Sequence, residues 1–200
     1  MRYEKGRKDT SRRRIMEVAA ERFRSDGIAA SGLAGIMSDA GLTNGAFYPH
    51  FPSKAALVRE SLAAALEDQS SQLQKVLAAA GLETAIAAYL SAEHRDNPGK
   101  GCAAAALLPE LAREPSETRR LYAERFLTMV RQMASALPPT TKDPEEVALG
   151  VYATLIGALQ LARAAQGTAL SDRILAAGAE AARALVQPRQ DKPSHPRASS

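Results

Sequence analysis

Cysteine occurs once in this chain, tryptophan never, and aromatic residues only nine times in 200 residues. The single cysteine, Cys102, excludes an internal disulfide framework and a four-cysteine zinc site, and it fits a reducing, cytoplasmic setting. Beyond residue 55 the only aromatics are Tyr89, Tyr122, Phe126 and Tyr152, too little material for a cage around flat cations. The three histidines, His50, His94 and His195, are scattered, and none follows a glutamate by three residues, as the metal sites of helical carboxylate bundles require. HExxH, a phosphate-cradling glycine loop and a GxSxG elbow are also missing, so no catalytic residue, metal or cofactor is expected. The longest uncharged apolar stretch, Val147–Ala162, falls short of the roughly 20 residues of a spanning helix. It contains Thr154 and Gln160 and follows a helix-start sequence, so a buried helix is expected and no membrane segment. The N-terminus, MRYEKGRKDTSRRR, has no apolar segment after its charges, and no secretory signal is expected there.

Hydrophobic residues make up 46% and charged residues 24%, an ordinary globular balance with enough chain for a sizeable core. The net charge of +4 is unevenly placed. Residues 1–55 hold ten Lys or Arg against six Asp or Glu, while the remainder holds sixteen of each. All the excess positive charge therefore lies on the N-terminal quarter, as in a DNA-binding head on a neutral body.

That quarter contains Ser31–Leu57, SGLAGIMSDAGLTNGAFYPHFPSKAAL. Leu33, Ile36, Met37 and Ala40 follow the spacing of one apolar helix face, with Ser31 expected as its N-cap. Gly41 should end that helix in a positive-φ conformation, and Leu42 should plug the turn. Thr43 should cap a second helix running to about Tyr48, before Pro49 and Pro52. Two short helices joined by a glycine turn make a helix-turn-helix, whose second helix can enter a DNA major groove. The run AGLTNGAFYPHFPSKAAL, an aromatic cluster followed by Ser-Lys at a helix start, closely resembles the N-terminal signature of TetR-like (tetracycline-repressor-like) transcription regulators. The close match covers about residues 10–60.

The resemblance implies an all-α fold: an N-terminal three-helix helix-turn-helix head plus a C-terminal helical domain that binds a ligand and dimerises. The expected divisions are a flexible basic arm at 1–9, the DNA-binding head at 10–52, the effector-binding and dimerisation domain at 53–186, and a disordered tail at 187–200. In the head, a first helix from about Thr10 to Ser25 turns Ile15, Val18, Ala19 and Phe23 inward and Arg12, Arg13, Arg14 and Arg24 outward, ending at Gly27. For double-stranded DNA the candidates are Thr43, Asn44, Gly45, Ala46, Tyr48, His50 and Lys54. Asn44 can pair with adenine and Ala46 can meet a thymine methyl, while Tyr48 and Lys54 suit phosphates. Phe47 and Phe51 should anchor the motif to the core. The family often has a basic residue at the place of Asn44, so its base preference does not carry over.

Beyond the head only helices are expected: about 53–79, 82–94, 102–113, 116–136, 143–166 and 171–186. Ser53 is a good N-cap, and Asp143-Pro144-Glu145-Glu146 is a start signal with Asp143 as cap. The resemblance implies a pocket among the helices of 53–136, with His94, Cys102, Leu108, Tyr122, Phe126, Met129 and Met133 as candidate lining for a small, largely apolar, uncharged or weakly acidic effector. The helix over 147–162 is apolar all round, and small residues recur there and in the last helix. Gly150, Thr154, Gly157, Leu161, Ile174, Gly178 and Ala181 are therefore expected at a homodimer interface. The functional expectation is a homodimeric repressor released from a pseudo-palindromic operator by its effector. A ligand-independent or activating DNA binder is one alternative, and a helical enzyme or carrier with a vestigial head is another. Cys102, after Gly101 at a helix start, is either a small buried packing residue or, as the position resembles that in some TetR-like sensors, a redox or electrophile switch.

Overall fold

The computed structural model describes residues 2–187, with side chains from residue 8 onward; the expected tail lies almost wholly outside this range. Eight α-helices and two short 3₁₀ turns follow one another: α1 (Arg2–Asp26), α2 (Leu33–Asp39), α3 (Lys54–Tyr89), α4 (Ala92–Asp96), α5 (Ala103–Leu111), α6 (Ser116–Ser135), α7 (Pro144–Ala164) and α8 (Ala169–Val186). Among the described residues there is no strand. Helix α1 begins at Arg2 rather than Thr10, so the segment expected as a flexible arm continues the helix.

The stops and starts follow local chemistry where the side chain is its own partner. Gly27 ends α1 at φ 88° and Gly41 follows α2 at φ 73°, conformations that a Cβ disfavours. Ser53 caps α3, its hydroxyl oxygen accepting from Ala56 N–H at 3.1 Å. Helix α3 breaks at Gly81 (φ 75°, ψ 179°), which separates the two helices expected over 53–79 and 82–94. Ser91 then starts α4 by accepting from His94 N–H, so the second of those helices ends at Tyr89 instead of running through His94.

Three expected caps make no capping bond, the first being Thr43, which stands before the Asn44–Ala46 turn without a side-chain bond to it. Gly32 occupies the N-cap position of α2 without a side-chain bond. The buried Ser31 instead donates its hydroxyl to the Gly27 carbonyl at 2.7 Å, closing the turn between α1 and α2. Asp143 stands at the N-cap of α7 but in the left-handed region (φ 50°), and its carboxylate bonds no helix N–H.

One hydrophobic core runs the length of the molecule. In the head, Ile15, Val18, Ala19 and Phe23 of α1 meet Ile36 and Met37 of α2 and the fully buried Phe47 and Phe51. Leu57, Val58, Leu62 and Leu66 of α3 extend this core into the body, where α3 packs on α6, α6 on α7 and α7 on α8. Helix α7 is by length and composition apolar enough to cross a membrane, which its sixteen-residue uncharged stretch alone is not. The chain packs one face of it, Ala148, Val151, Tyr152, Leu155, Ala158, Leu159 and Ala162, into this core.

Helices α7 and α8 approach so closely that a Cβ on Gly178 would lie 2.4 Å from Cβ of Ala158. Gly178 is thus a buried packing residue within one chain and does not belong to an outward face. Alanine for glycine inside a helix ordinarily gains about 0.8–1 kcal/mol. Here overpacking, typically about 1–3 kcal/mol, should outweigh it. Gly178→Ala is therefore expected to lower the urea midpoint of unfolding, and an unchanged or higher midpoint would show that the helices part without strain.

Candidate functional site

Helix α2 and the 3₁₀ turn Asn44–Ala46 stand as the two arms of a helix-turn-helix, joined through Gly41, Leu42 and Thr43. Leu42 N–H bonds the Met37 carbonyl at 2.9 Å, and the Leu42 side chain packs on the core. The second arm is shorter than the expected helix: after Ala46 the chain continues as turns, with Phe51 N–H returning to the Phe47 carbonyl at 3.1 Å. Its position is held by Phe47 and Phe51, stacked with ring centroids 5.7 Å apart and both fully buried. Burying each ring contributes roughly 1.5–3 kcal/mol, far more than one turn of helix could supply. Thr43, Asn44, Gly45 and Tyr48 are left exposed, with Ala46 and His50 half-buried.

His50 Nδ1 is buried without a partner among the described residues, and burial, then the charges of Lys8 and Arg12, lower its pKa below the ordinary 6.5. Lys54 is half-buried at the start of α3, and its ammonium donates to the Ile28 carbonyl at 2.5 Å. It thus pins the α1–α2 turn with one N–H and keeps two for another acceptor.

Several head side chains expected to face solvent turn inward. Arg12 pairs with Glu60 of α3 and lies 4.8 Å above the centre of the Phe51 ring. Arg24 donates through Nε to the Gly99 carbonyl at 2.6 Å, and burial lowers its pKa. From the body, the Glu110 carboxylate on α5 accepts from Ile28 N–H at 3.0 Å and Ala29 N–H at 2.9 Å. The head is therefore attached to the body by α3, by Glu110 and by the loop containing Gly99.

That loop also walls a cavity of about 260 Å³ between α3, α6 and α7. Leu73, Val76, Met129, Met133 and Leu155 supply its apolar surface, and His94, Lys100, Gly101, Cys102, Gln69, Tyr89 and Tyr152 its polar side. Of the expected lining, His94, Cys102, Met129 and Met133 are there. Tyr122 and Phe126 stand behind it, stacked at 5.6 Å, with Phe126 edge-on to Tyr152 at 5.1 Å. Leu108 is on α5 outside it. Sequence reasoning left out Tyr89 and Tyr152; their being two of only four body aromatics was the available signal.

His94 itself is fully engaged: Nδ1–H donates to the Tyr89 carbonyl at 2.6 Å and Nε2 accepts from Cys102 N–H at 3.0 Å. A Cβ on Gly101 would lie 2.7 Å from the His94 ring, so glycine before Cys102 admits the imidazole. Cys102 is buried. A larger, open groove of about 610 Å³ between α1 and α3 carries mixed charge from Arg12, Arg24, Glu21 and Asp68. Among the described residues no group of three or more His, Cys, Asp or Glu side chains gathers to hold a metal.

On the far side, α7 exposes Leu149, Ala153, Gly157 and Leu161, and α8 exposes Leu170, Ala177, Ala181 and Leu185. Gly150, Thr154 and Ile174 are half-buried beside them. Leu161 is 63% exposed, and no atom lies within 4 Å of where a Gly157 Cβ would stand. This is a two-helix apolar face without a partner among the described residues.

A helix-turn-helix head on a helical body with a solvent-open cavity is the architecture of a DNA-binding transcriptional regulator. Residues 15–61 match the family of bacterial regulatory proteins, tetR family. Solved structures share its fold. A TetR-family transcriptional regulator from Cytophaga hutchinsonii is 20% identical, with 92% of this chain and 98% of that one covered at a TM-score of 0.74. The reduced form of NemR from E. coli is 18% identical, with 84% and 95% covered at 0.71. FadR from Bacillus subtilis in complex with stearoyl-CoA is 14% identical, with 87% and 97% covered at 0.65. No curated protein matches significantly.

The neutral His94 links this site to pH. Burial, helped by the Arg163 charge and opposed by the Tyr89 carbonyl, lowers its pKa below the ordinary 6.5. The unfolded chain then takes up a proton that the folded one resists, so the stabilisation is complete above 6.5 and is lost as pH falls below it. The unfolding free energy is expected to fall between pH 7.5 and 5, as roughly bracketed by the histidine range. In His94→Gln the fall should be smaller, with His50 supplying the remainder. Equal falls in parent and variant would show that His94 is not responsible.

Proposed function

We propose that the chain is a homodimeric, ligand-responsive repressor acting in the cytoplasm, released from a pseudo-palindromic operator when a small effector enters the cavity of α3, α6 and α7. The observation that carries this is the loop at 97–102, which walls the cavity through Lys100, Gly101 and Cys102 and holds α1 of the head through Gly99. A ligand that displaces the loop changes the seating of the head, and it shifts the equilibrium to the extent that it prefers the displaced form. The cavity is mostly apolar and much smaller than the acyl-CoA held by the FadR neighbour, so a compact, largely apolar effector fits it.

The exposed faces of α7 and α8 support the dimer. Side by side with a second copy they form a four-helix interface in which Gly157 permits close approach. Gly150, Thr154, Leu161, Ile174 and Ala181 belong to this face, whereas Gly178 does not. Light scattering at micromolar concentration should give a dimer, and Leu161→Glu, which sets a charge in an apolar contact, should give a monomer with unchanged helix content. A monomeric parent would remove this part of the reading.

In the head, Asn44 is the base-reading residue, with Thr43, Gly45, Ala46, Tyr48 and His50 around it and Lys54 directed to a phosphate through its remaining N–H groups. On an operator footprinted upstream of the gene, Asn44→Ala should relax preference at one base position, worth about 1–3 kcal/mol. Lys54→Ala should weaken binding evenly on all sequences and flatten the salt dependence by about one unit of slope. If Lys54→Ala lowered the melting temperature and left the slope intact, its bond to Ile28 would be its whole role.

A further inference from the structure

The cavity holds polar atoms that the fold leaves unused. Tyr152 is 3% exposed, and its hydroxyl has no hydrogen-bond partner among the described residues. Gln69 Oε1 is likewise buried and unpartnered among the described residues, although Gln69 Nε2 donates to the Gly101 carbonyl at 3.0 Å, and the buried Tyr89 hydroxyl has only the weakly bonding Cys102 thiol beside it. All three residues line the same space. Buried polar groups are almost always bonded, and phenylalanine at 89 and 152 would fill the same volume without the cost of an orphaned hydroxyl.

Neither ring can swing away to find a partner. Tyr152 is held edge-on by Phe126, itself stacked on Tyr122, and Tyr89 meets His94 edge-on at 4.7 Å. His94 is in turn fixed by bonds at both ring nitrogens. Burial, then the charge an ionised Cys102 would carry, raises the pKa of both tyrosines; for Tyr89 a bond to the Cys102 side chain and the nearness of Tyr152 add to this, and the Arg163 charge opposes it. Both hydroxyls thus remain O–H donors over the whole working range. The cavity contains no charged side chain except Lys100, which is exposed.

We propose that this cavity binds a small uncharged molecule through a carbonyl-type oxygen that accepts from the hydroxyls of Tyr89 and Tyr152. Its apolar remainder lies on Leu73, Val76, Met129 and Met133, whose methionines adapt to its shape. Gln69 Oε1 takes an N–H or O–H of the ligand where there is one. An anion gains less than a neutral carbonyl, because Lys100 is exposed and the guanidinium of Arg163 behind His94 is already bonded to the Arg95 and His94 carbonyls. The regulatory consequence rests on the function proposed above, whereas the binding is tested on the protein without operator.

The probes are benzylacetone, a ketone, with hydrocinnamate as its carboxylate counterpart and butylbenzene as its hydrocarbon counterpart, read by calorimetry and thermal shift at neutral pH. Benzylacetone is expected to bind at least about tenfold more tightly than either. Tyr89→Phe and Tyr152→Phe should each lower its affinity about tenfold, leave butylbenzene unaffected, and leave the ligand-free melting temperature unchanged or raised. The proposal is overturned if the ketone does not bind, binds no better than the hydrocarbon, or binds both variants like the parent. It is overturned equally if both variants melt lower without ligand, because the hydroxyls would then already be satisfied. Binding of benzylacetone without operator release would count against the regulatory reading alone.

Discussion

The burial of one face of α3 at both ends of the molecule is the constraint on which the other contacts depend. Leu57 and Val58 complete the core of the head, and further along the same helix Leu73 and Val76 line the cavity. Its start is fixed by the Ser53 hydroxyl and its continuity ends at Gly81, so the length of rigid helix between DNA-reading turn and ligand space is set by two residues. The remaining ties act on a geometry that α3 has already imposed: Arg12 on Glu60, Glu110 on the Ile28 and Ala29 amides, Arg24 on Gly99. Bonds from a carboxylate or guanidinium to backbone are worth more than neutral ones, about 1.5–3 kcal/mol each. Three points of attachment around one helix tie the head to α3, to α5 and to the loop that carries Gly99.

What could be read from the sequence alone was what a residue does with its near neighbours. Gly27, Gly41 and Gly81 break helices because of their own backbone freedom, and Ser53 caps because its partner is three residues away. Phe47 and Phe51 could be assigned to the core because large apolar residues beside a turn have nowhere else to go. The same logic failed where the partner is distant in the chain. Arg24 looks like a solvated residue on a basic helix, yet its acceptor is 75 positions away. Ser31 has the composition of a cap, but the Gly27 carbonyl, also within reach, won its hydroxyl and left Gly32 at the helix start.

The cavity shows the same division. Met129 and Met133 were legible as lining because they share a helix face, whereas Tyr89 and Tyr152 come from helices 63 positions apart and meet only through tertiary packing. Small residues misled in one place: Gly157 and Gly178 carry the same signal of close helix approach. One faces outward with nothing against it, and the other is pressed on Ala158 within the chain. Periodicity reports that a helix face is slim, and only the fold decides which neighbour uses the room.

The reading turn of the head is held from below by two phenylalanines and carries almost nothing above. Thr43, Asn44 and Gly45 are exposed, no described atom beyond its chain neighbours lies within 4 Å of where a Cβ on Gly45 would stand, and among the described residues Tyr48 makes a ring contact with Phe47 alone. Exchanges at such surface positions usually change stability by no more than about 0.5 kcal/mol. On the function proposed above, folding and sequence preference are written in separate residues, so drift at 43–45 can retune which operator is bound while the scaffold keeps its margin. A lineage with this head can acquire new target genes by substitutions that selection for a stable protein barely notices.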